Sequence, residues 1–300
     1  MNESAKVKTS SASDSCDQLM EDRISRLNEI ARQLRIDIIR MTYEAGPARK
    51  GHPGGALSAT DLIAALYFDF MRIDPSNPRW PNRDRFILSK GHACPVLYAA
   101  LANRGYFPKE AFSSFRKIDG MLQGHPDMKS TPGVDMTAGS LGHGLSAGVG
   151  MAIAARIDKR DYNVFVLLGD GECQEGLVWE AAMVAPKYKL DNLIAILDIN
   201  RLQSCDWVEA TLSLEPLPAK WIAFGWNVVE IDGHDMRQVV SALEIAIHHK
   251  GKPTVIIART VKGKGVSFME DDNAWHQKAP NKKQFEQAVT ELQGKDRKDV

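Results

Sequence analysis

The chain has 300 residues, of which 44% are hydrophobic and 25% are charged, and its 38 basic side chains balance its 38 acidic ones. This composition is typical of a globular protein with a sizeable core, and the zero net charge argues against a nucleic-acid-binding protein. We find no run of about 20 apolar residues that would span a bilayer, so no membrane association is expected. The four cysteines are scattered and form no zinc-binding pattern, which indicates a reduced, cytoplasmic protein.

The first half of the sequence predicts helices separated by loops rich in glycine and proline. Residues 1–18 are rich in Ser, Lys and Asp and predict a disordered N-terminal arm. A long amphipathic helix is predicted over residues 19–45, where apolar side chains recur at helical spacing. A short strand is predicted over residues 83–88, and further helices over residues 59–71, 95–103, 109–116 and 141–158.

The second half alternates between apolar runs and helical patterns. The apolar runs, at residues 162–168, 193–199, 226–231 and 254–258, predict buried strands. Helices are predicted over residues 175–188 and 236–249. Apolar strands that alternate with helices predict an α/β fold, with a mostly parallel sheet and helices on both faces. No internal linker is evident, so residues 19–300 are predicted to form one domain.

The motif Gly169-Asp170-Gly171 follows one of these apolar runs and so lies at the carboxyl end of a predicted strand, where such sheets bind ligands. The two glycines allow the backbone to approach a diphosphate closely, and the Asp170 carboxylate suits Mg²⁺ or Ca²⁺. Asn200 ends the next apolar run. The intervening segment is long enough for one helix and one strand, so both side chains should emerge at the same sheet edge and share one ion.

Histidines that follow a glycine give a second signal, because a Gly-His pair on a loop places an imidazole within reach of a substrate. Three of these pairs occur in the motifs GHPG, SKGH and GHP, in this order, ahead of the GDG motif. The histidines that follow a glycine are His52, His92, His125, His143 and His234.

The stretch GDGECQEGLVWEAAMVAPKYKLDNLIAILDIN resembles the thiamine diphosphate motif of thiamine-dependent enzymes. Together with the histidine motifs it is similar to the transketolase family, over residues 25–280. The resemblance implies a thiamine-diphosphate-binding fold and a two-carbon ketol transfer between sugar phosphates. It implies that Asp170, Asn200 and the backbone carbonyl of Leu202 hold the metal ion. The family pattern often closes with two asparagines, and Ile199 replaces the first of them.

The same resemblance assigns roles to four histidines. His52 and His125 would face the sugar substrate and assist proton transfers. His92 would lie near the diphosphate and the reacting carbons. His276, in the motif Ala-Trp-His, would contact both the diphosphate and the substrate.

Other positions match family contacts to the cofactor. Gly139, Ser140 and Leu141 would contact its aminopyrimidine ring, although transketolases commonly have proline where Ser140 stands. Glu175 and Glu180 would lie near the cofactor at the interface between chains, where Glu180 would help to hold a carboxylate of the partner subunit.

Two lysines in the motif Lys-Gly-Lys-Gly, Lys262 and Lys264, could also reach a phosphate. The favoured interpretation from the sequence is that both are solvated loop lysines.

In this family a glutamate on a second domain activates the aminopyrimidine, and arginine and serine residues outside the first domain hold the sugar phosphate. This sequence offers no candidates for those groups. We therefore expect the N-terminal subunit of a split transketolase, which would be active only with a separate C-terminal subunit, in an α₂β₂ assembly.

Three alternatives are open. The α chain of a 2-oxoacid dehydrogenase also carries a diphosphate motif, but the early histidines favour hydroxyl-rich ketoses. A 1-deoxyxylulose-phosphate synthase is disfavoured by the sequence Gln174-Glu175-Gly176 after the GDG motif. A non-catalytic cofactor-binding protein is disfavoured by the full set of histidines beside an intact metal motif.

Overall fold

Parallel strands form a five-stranded sheet in the computed structural model, which describes residues 10–294. Neighbouring strands pair in parallel in the order β1-β2-β3-β5-β4. The predicted α/β class is confirmed, and each strand begins and ends within two residues of its predicted bounds. The strands are β1 Arg85–Leu88, β2 Val164–Gly169, β3 Leu193–Ile199, β4 Asn227–Asp232 and β5 Thr254–Arg259.

The helices cover both faces of the sheet, as predicted. They are α1 Ser10–Arg49, α2 Pro53–Ser58, α3 Thr60–Ala65, α4 Cys94–Arg104, α5 His143–Ile157, α6 Gly176–Lys187, α7 Val208–Leu212, α8 Leu217–Ala223, α9 Met236–His248 and α10 Lys282–Leu292. None of these helices is both long enough and apolar enough to cross a membrane.

The first helix differs from its prediction at its start. Helix α1 begins at Ser10, whereas residues 10–18 were predicted to belong to a disordered arm, and this part of the prediction is wrong. A helix that has already nucleated gains a hydrogen bond for each added residue, so polar residues can extend it. Gly46, with a φ of 73°, interrupts the helix where the sequence predicts its end. Residues 1–9 of the predicted arm lie outside the described residues.

Two other predicted helices are modified in the structure. Residues 109–114 form a tight helical turn that ends before Arg116, whose φ of 57° lies in the left-handed region. The helix predicted over residues 59–71 divides into α3 and a wider turn at Leu66–Phe70. Helices α2, α7, α8 and α10 were not predicted. The first three have only 5 to 7 residues, too few to show a helical period, whereas α10 has 11 residues and was missed.

Alternate side chains of the central strands enter two separate apolar layers. Phe165 and Leu167 of β2 pack with α1, α3, α4 and α9, whereas Val164 and Val166 pack with α5, α6 and α8. Each of these side chains is fully buried, and such burial stabilises the fold by roughly 1.5–3 kcal/mol per large apolar side chain. The single domain over residues 19–300 stays a prediction.

Strand register aligns the carboxyl ends of the two central strands. Gly169 at the end of β2 pairs with Asp198 of β3. Asp170 and Asn200 therefore leave the sheet at the same edge, each within two residues of this pair. The alternation of apolar runs and helices in the sequence predicted that both residues would lie at one edge, because parallel strands connected by a helix end on the same side of the sheet.

Candidate functional site

A cavity of about 210 Å³ opens at the carboxyl edge of the sheet, where β2 and β3 end. Residues far apart in the sequence meet in it, since the loops after several strands converge there. Its lining includes these residues selected from the sequence: His92, Leu141, Gly169, Asp170, Gly171, Asn200, Leu202 and His276.

Asp170 supplies a buried carboxylate to this cavity. Its Oδ1 accepts a hydrogen bond of 2.7 Å from the backbone N–H of Gly171, and its Oδ2 accepts one from the N–H of Arg201. Burial raises the pKa of Asp170 to about 6. Within residues 10–294 no lysine, arginine or histidine forms an ion pair with it. A buried carboxylate without a counter-ion is a suitable ligand for a cation.

Asn200 and Leu202 also line this cavity, and each carries an oxygen atom that suits a cation. The amide Nδ2 of Asn200 donates a hydrogen bond to Ser58 Oγ at 3.2 Å. Its Oδ1 accepts a hydrogen bond from the backbone N–H of Leu202 at 3.2 Å. The carbonyl oxygen of Leu202 is the third oxygen atom of this kind. One carboxylate, one amide oxygen and one carbonyl oxygen fit a hard divalent cation. No cluster of three His, Cys, Asp or Glu side chains suited to a metal occurs in the described part of the chain, so diphosphate or water oxygens would complete the shell.

Lys262 lies inside the site, and the interpretation of it as a solvated lysine is wrong. Its side chain is buried, and its Nζ donates to the carbonyl oxygen of Leu202 at 2.9 Å. The same Nζ lies 3.0 Å from Nδ1 of His276. Burial lowers the pKa of Lys262 to about 8. By contrast, Lys264 is partly exposed and lies 3.6 Å from Glu270.

Three of the predicted histidines form a compact cluster. The ring centroids of His52, His92 and His276 are 5.2 to 5.4 Å apart. Burial, with a further contribution from nearby positive groups, lowers the pKa of His52 to about 3 and that of His276 to about 4. Burial also lowers the pKa of His92 well below its usual value. The cluster is therefore neutral near pH 7 and presents imidazoles that can both donate and accept hydrogen bonds.

His125 lies at the exposed edge of this region. A Cβ atom at Gly139 would lie 3.6 Å from the His125 ring, so the GHP loop packs against the segment that carries Gly139, Ser140 and Leu141. Burial and the nearby charge of Arg116 lower the pKa of His125. Gly139 and Ser140 are exposed, and only Leu141 of this segment lines the cavity.

The two predicted interface glutamates do not line the cavity. Glu175 directly precedes α6 and Glu180 lies on it, and both side chains are exposed. Their position leaves them accessible to another chain.

Glu172 was not predicted as a site residue from the sequence. Its buried carboxylate accepts hydrogen bonds from the N–H of Gly142 at 2.9 Å, the N–H of Gly169 at 3.0 Å and the hydroxyl of Ser89. These donors belong to three segments that surround the cavity. The available signal was an acidic residue directly after the GDG motif, but its burial depends on the other two segments.

Comparison with known proteins extends this description. Residues 25–298 match the family model described as transketolase, thiamine diphosphate binding domain. The chain is 49% identical to the 6-deoxy-6-sulfo-D-fructose transketolase subunit SqwG of Clostridium sp. (strain MSTE9), over 83% of this chain and 91% of that protein. It is 44% identical to one subunit of the apulose-4-phosphate transketolase of Phocaeicola vulgatus, over 85% of this chain and 89% of that protein.

Longer proteins match over only part of their length. Homo sapiens transketolase is 42% identical over 91% of this chain but 43% of its own length. The solved structure of Leishmania mexicana transketolase aligns with a TM-score of 0.81 and 29% identity, over 92% of this chain and 42% of that one. The chain therefore spans about two fifths of these longer proteins and about nine tenths of the relatives named as subunits.

Proposed function

Since the chain belongs to the transketolase family through its thiamine-diphosphate-binding domain, we propose that it is the N-terminal subunit of a split transketolase. This chain and a separate C-terminal subunit would together catalyse the transfer of a two-carbon ketol unit. This proposal rests on how much of each relative's length the chain matches. The chain matches 91% of a relative named as a subunit but only 43% of Homo sapiens transketolase.

The proposed cofactor site uses the oxygen atoms at the sheet edge. Asp170, Asn200 and the carbonyl of Leu202 would hold Mg²⁺ or Ca²⁺, and the ion would bind the diphosphate of thiamine diphosphate. Thiamine diphosphate supplies the carbanion chemistry when it is bound. Support comes from the buried Asp170 carboxylate, for which the described residues provide no counter-ion. The ammonium group of Lys262 at the cavity wall adds a positive charge that favours an anionic ligand.

The histidine cluster is proposed to bind the sugar. His52, His92 and His276 are held neutral by burial, so His52 and His92 each offer one N–H donor and one acceptor nitrogen to a substrate hydroxyl. Nδ1 of His276 already accepts from the ammonium group of Lys262, so this ring offers its Nε2–H as a donor. An imidazole that accepts a hydroxyl proton can return it later in the same turnover. His125, at the exposed edge, would contact the more distant part of the sugar.

An apolar patch on α5 and α6 is the proposed contact with the C-terminal subunit. We define this helix-pair surface as Ile157, Met183, Val184 and Tyr188, all of which are exposed. The carboxyl ends of both helices lie together, because Arg156 donates to the carbonyl of Tyr188. Contiguous exposed apolar side chains commonly mark interaction surfaces. Glu180 lies one turn before Met183 on α6 and would contact the partner, in an assembly of two copies of each chain.

The proposed substrates are ketoses that carry an anionic group. One relative is named after a sulfo sugar, 6-deoxy-6-sulfo-D-fructose, and another after a sugar phosphate, apulose 4-phosphate. We propose that the donor is of this class and that the anionic group is bound by the C-terminal subunit. A cytoplasmic location is also proposed, where the free cysteines Cys94, Cys173 and Cys205 would stay reduced.

Ketol transfer assays with thiamine diphosphate and MgCl₂ test this proposal. This chain by itself, the isolated C-terminal chain and the two together would be supplied with fructose 6-phosphate or a sulfonated ketose as donor and with an aldose phosphate as acceptor of the two-carbon unit. We expect turnover only when both chains are present. Rapid ketol transfer by this chain alone would contradict the split arrangement. Turnover of pyruvate, but of no ketose, would favour a 2-oxoacid dehydrogenase, and no turnover with any partner would favour a non-catalytic protein.

A further inference from the structure

The buried hydroxyl group of Ser58 lies between Asp198 and Asn200. Ser58 is the last residue of α2, and its Oγ is 2.6 Å from Oδ2 of Asp198 and 3.1 Å from the carbonyl oxygen of Gly55. Both of these neighbours act as acceptors, so the single hydroxyl hydrogen is directed to one of them. The oxygen of Ser58 can therefore only accept a hydrogen bond from its third neighbour.

That third neighbour is the carboxamide of Asn200. Its Nδ2 donates to Ser58 Oγ at 3.2 Å, while its Oδ1 accepts from the N–H of Leu202 at 3.2 Å. If the carboxamide turned over, its oxygen would face a hydroxyl with no hydrogen left to donate, and its NH₂ group would face the N–H of Leu202. Both hydrogen bonds would be lost, and this loss is costly because Asn200 is buried.

Asp198 determines which groups donate and which accept in these hydrogen bonds. It is fully buried, and its Oδ2 accepts from the ammonium group of Lys90 as well as from Ser58. Its Oδ1 accepts from the hydroxyl of Thr260. Because Asp198 is surrounded by donors, it remains an acceptor for the Ser58 hydroxyl. The chain of hydrogen bonds thus runs from Asp198 through Ser58 to Asn200.

We propose that Ser58 is a positioning residue for the divalent cation, because it makes Asn200 present Oδ1 to the ion that Asp170 also binds. This inference rests on the proposed cation site. Residues that orient a metal ligand in this way contribute about 10- to 100-fold to metal affinity. The expected effect of losing the hydroxyl is therefore on the cation, and only through the cation on the diphosphate.

Isothermal titration calorimetry of the full-length chain with thiamine diphosphate, at a series of MgCl₂ concentrations, tests the proposal. The Ser58→Ala variant should need about 10- to 100-fold more Mg²⁺ for half-maximal binding, with affinity for thiamine diphosphate recovered at saturating Mg²⁺. Ser58→Thr keeps the hydroxyl and should restore the wild-type requirement. Thr260→Val is the matched control, because it removes a donor from the other oxygen of Asp198. It should lower the melting temperature without changing the Mg²⁺ requirement.

The outcomes separate this inference from the proposed function. If the wild-type chain shows no Mg²⁺-dependent binding of thiamine diphosphate, the proposed cofactor site is wrong and the role of Ser58 with it. If the wild-type chain binds and Ser58→Ala has the same Mg²⁺ requirement, only the positioning role is overturned. Equal losses in Ser58→Ala and Thr260→Val would also overturn it. If Ser58→Ala does not fold, Ser58→Cys, whose thiol is a weak donor, takes its place with the same expected shift.

Discussion

The ammonium nitrogen of Lys262 lies 2.9 Å from the carbonyl oxygen of Leu202, the backbone atom proposed to bind the metal ion. The lysine follows β5, and the leucine follows β3, so the contact joins two neighbouring strands at the carboxyl edge of the sheet. Both residues line the cavity. This contact places a positive charge beside the proposed cation and diphosphate positions.

Replacing Lys262 with Met should weaken binding of thiamine diphosphate by about 10- to 100-fold, because it removes a buried positive charge beside the proposed diphosphate position, and a close charge pair of this kind contributes about 1.5–3 kcal/mol. Titration calorimetry at saturating Mg²⁺ measures this loss. Lys264→Met is the matched control, because Lys264 lies two residues away and is partly exposed. Equal affinities in the two variants would contradict a role for Lys262 in binding.

Replacing Asp170 with Asn should raise the Mg²⁺ concentration needed for cofactor binding by at least about 100-fold, more than the loss of an outer residue causes. The reason is that the other two proposed ligands, Asn200 and the carbonyl of Leu202, are neutral. The carboxylate of Glu172, which also lines the cavity, already accepts hydrogen bonds from Ser89, Gly142 and Gly169. A Mg²⁺ titration followed by tryptophan fluorescence measures the change. The exposed Asp271→Asn serves as the control and should retain the wild-type requirement. An unchanged requirement in Asp170→Asn would rule out Asp170 as a ligand.

Acid should destabilise the chain through its histidine cluster. The pKa of His52 falls from 6.5 to about 3 in the folded protein, so between these values the unfolded chain binds more protons. The free energy of unfolding should therefore decrease as the pH falls below 6.5, by at most about 1.4 kcal/mol per pH unit for this group. Urea denaturation between about pH 7.5 and about pH 5 measures the slope. His52→Gln should reduce it, whereas the exposed His248→Gln should not, and identical slopes in both variants would contradict this assignment.

Glu172→Gln should lower the free energy of unfolding by about 1–3 kcal/mol, since the amide cannot accept all the hydrogen bonds that the buried carboxylate receives. The affected donors include the N–H groups of Gly142 and Gly169. Urea denaturation near neutral pH measures the loss. Glu180→Gln, at an exposed position of α6, should change stability by less than about 0.5 kcal/mol. A comparable change in the two variants would mean that Glu172 does not hold the three segments together.

Met183→Glu should weaken assembly with the C-terminal subunit by at least about 10-fold, because it places a charge in the proposed apolar contact. Met183 is 55% exposed, and Ile245, on α9, is 51% exposed, so Ile245→Glu is a control of similar exposure. Calorimetric titration of each variant with the C-terminal subunit measures the affinity. If Ile245→Glu weakens assembly and Met183→Glu does not, the contact lies on the face that carries α9.

The alternating pattern was sufficient to predict the sheet. A continuous apolar run such as residues 193–199 needs apolar neighbours on both faces. Such runs are typical of strands in a parallel sheet that is covered by helices on both faces. The carboxyl ends of such strands share one edge, so Asp170 and Asn200 could be predicted to meet. The short helices α7 and α8 and the tight turn at 109–114 were missed or changed, because such short segments carry too little periodicity to identify their structure.

The sequence by itself determined which strand ends carry the ligand-type side chains, since the parallel direction of the strands follows from apolar runs that alternate with helices. The order of the strands, with β5 between β3 and β4, was decided by the tertiary structure. Only the tertiary structure decided which charged residues are buried. Lys262 belongs to the motif Lys-Gly-Lys-Gly and Glu172 directly follows the GDG motif, but neither motif indicates burial. Both side chains are enclosed by segments from distant parts of the chain. The difference has a physical reason, because periodicity is a property of adjacent residues, whereas burial and hydrogen-bond partners depend on the loops that pack over a site.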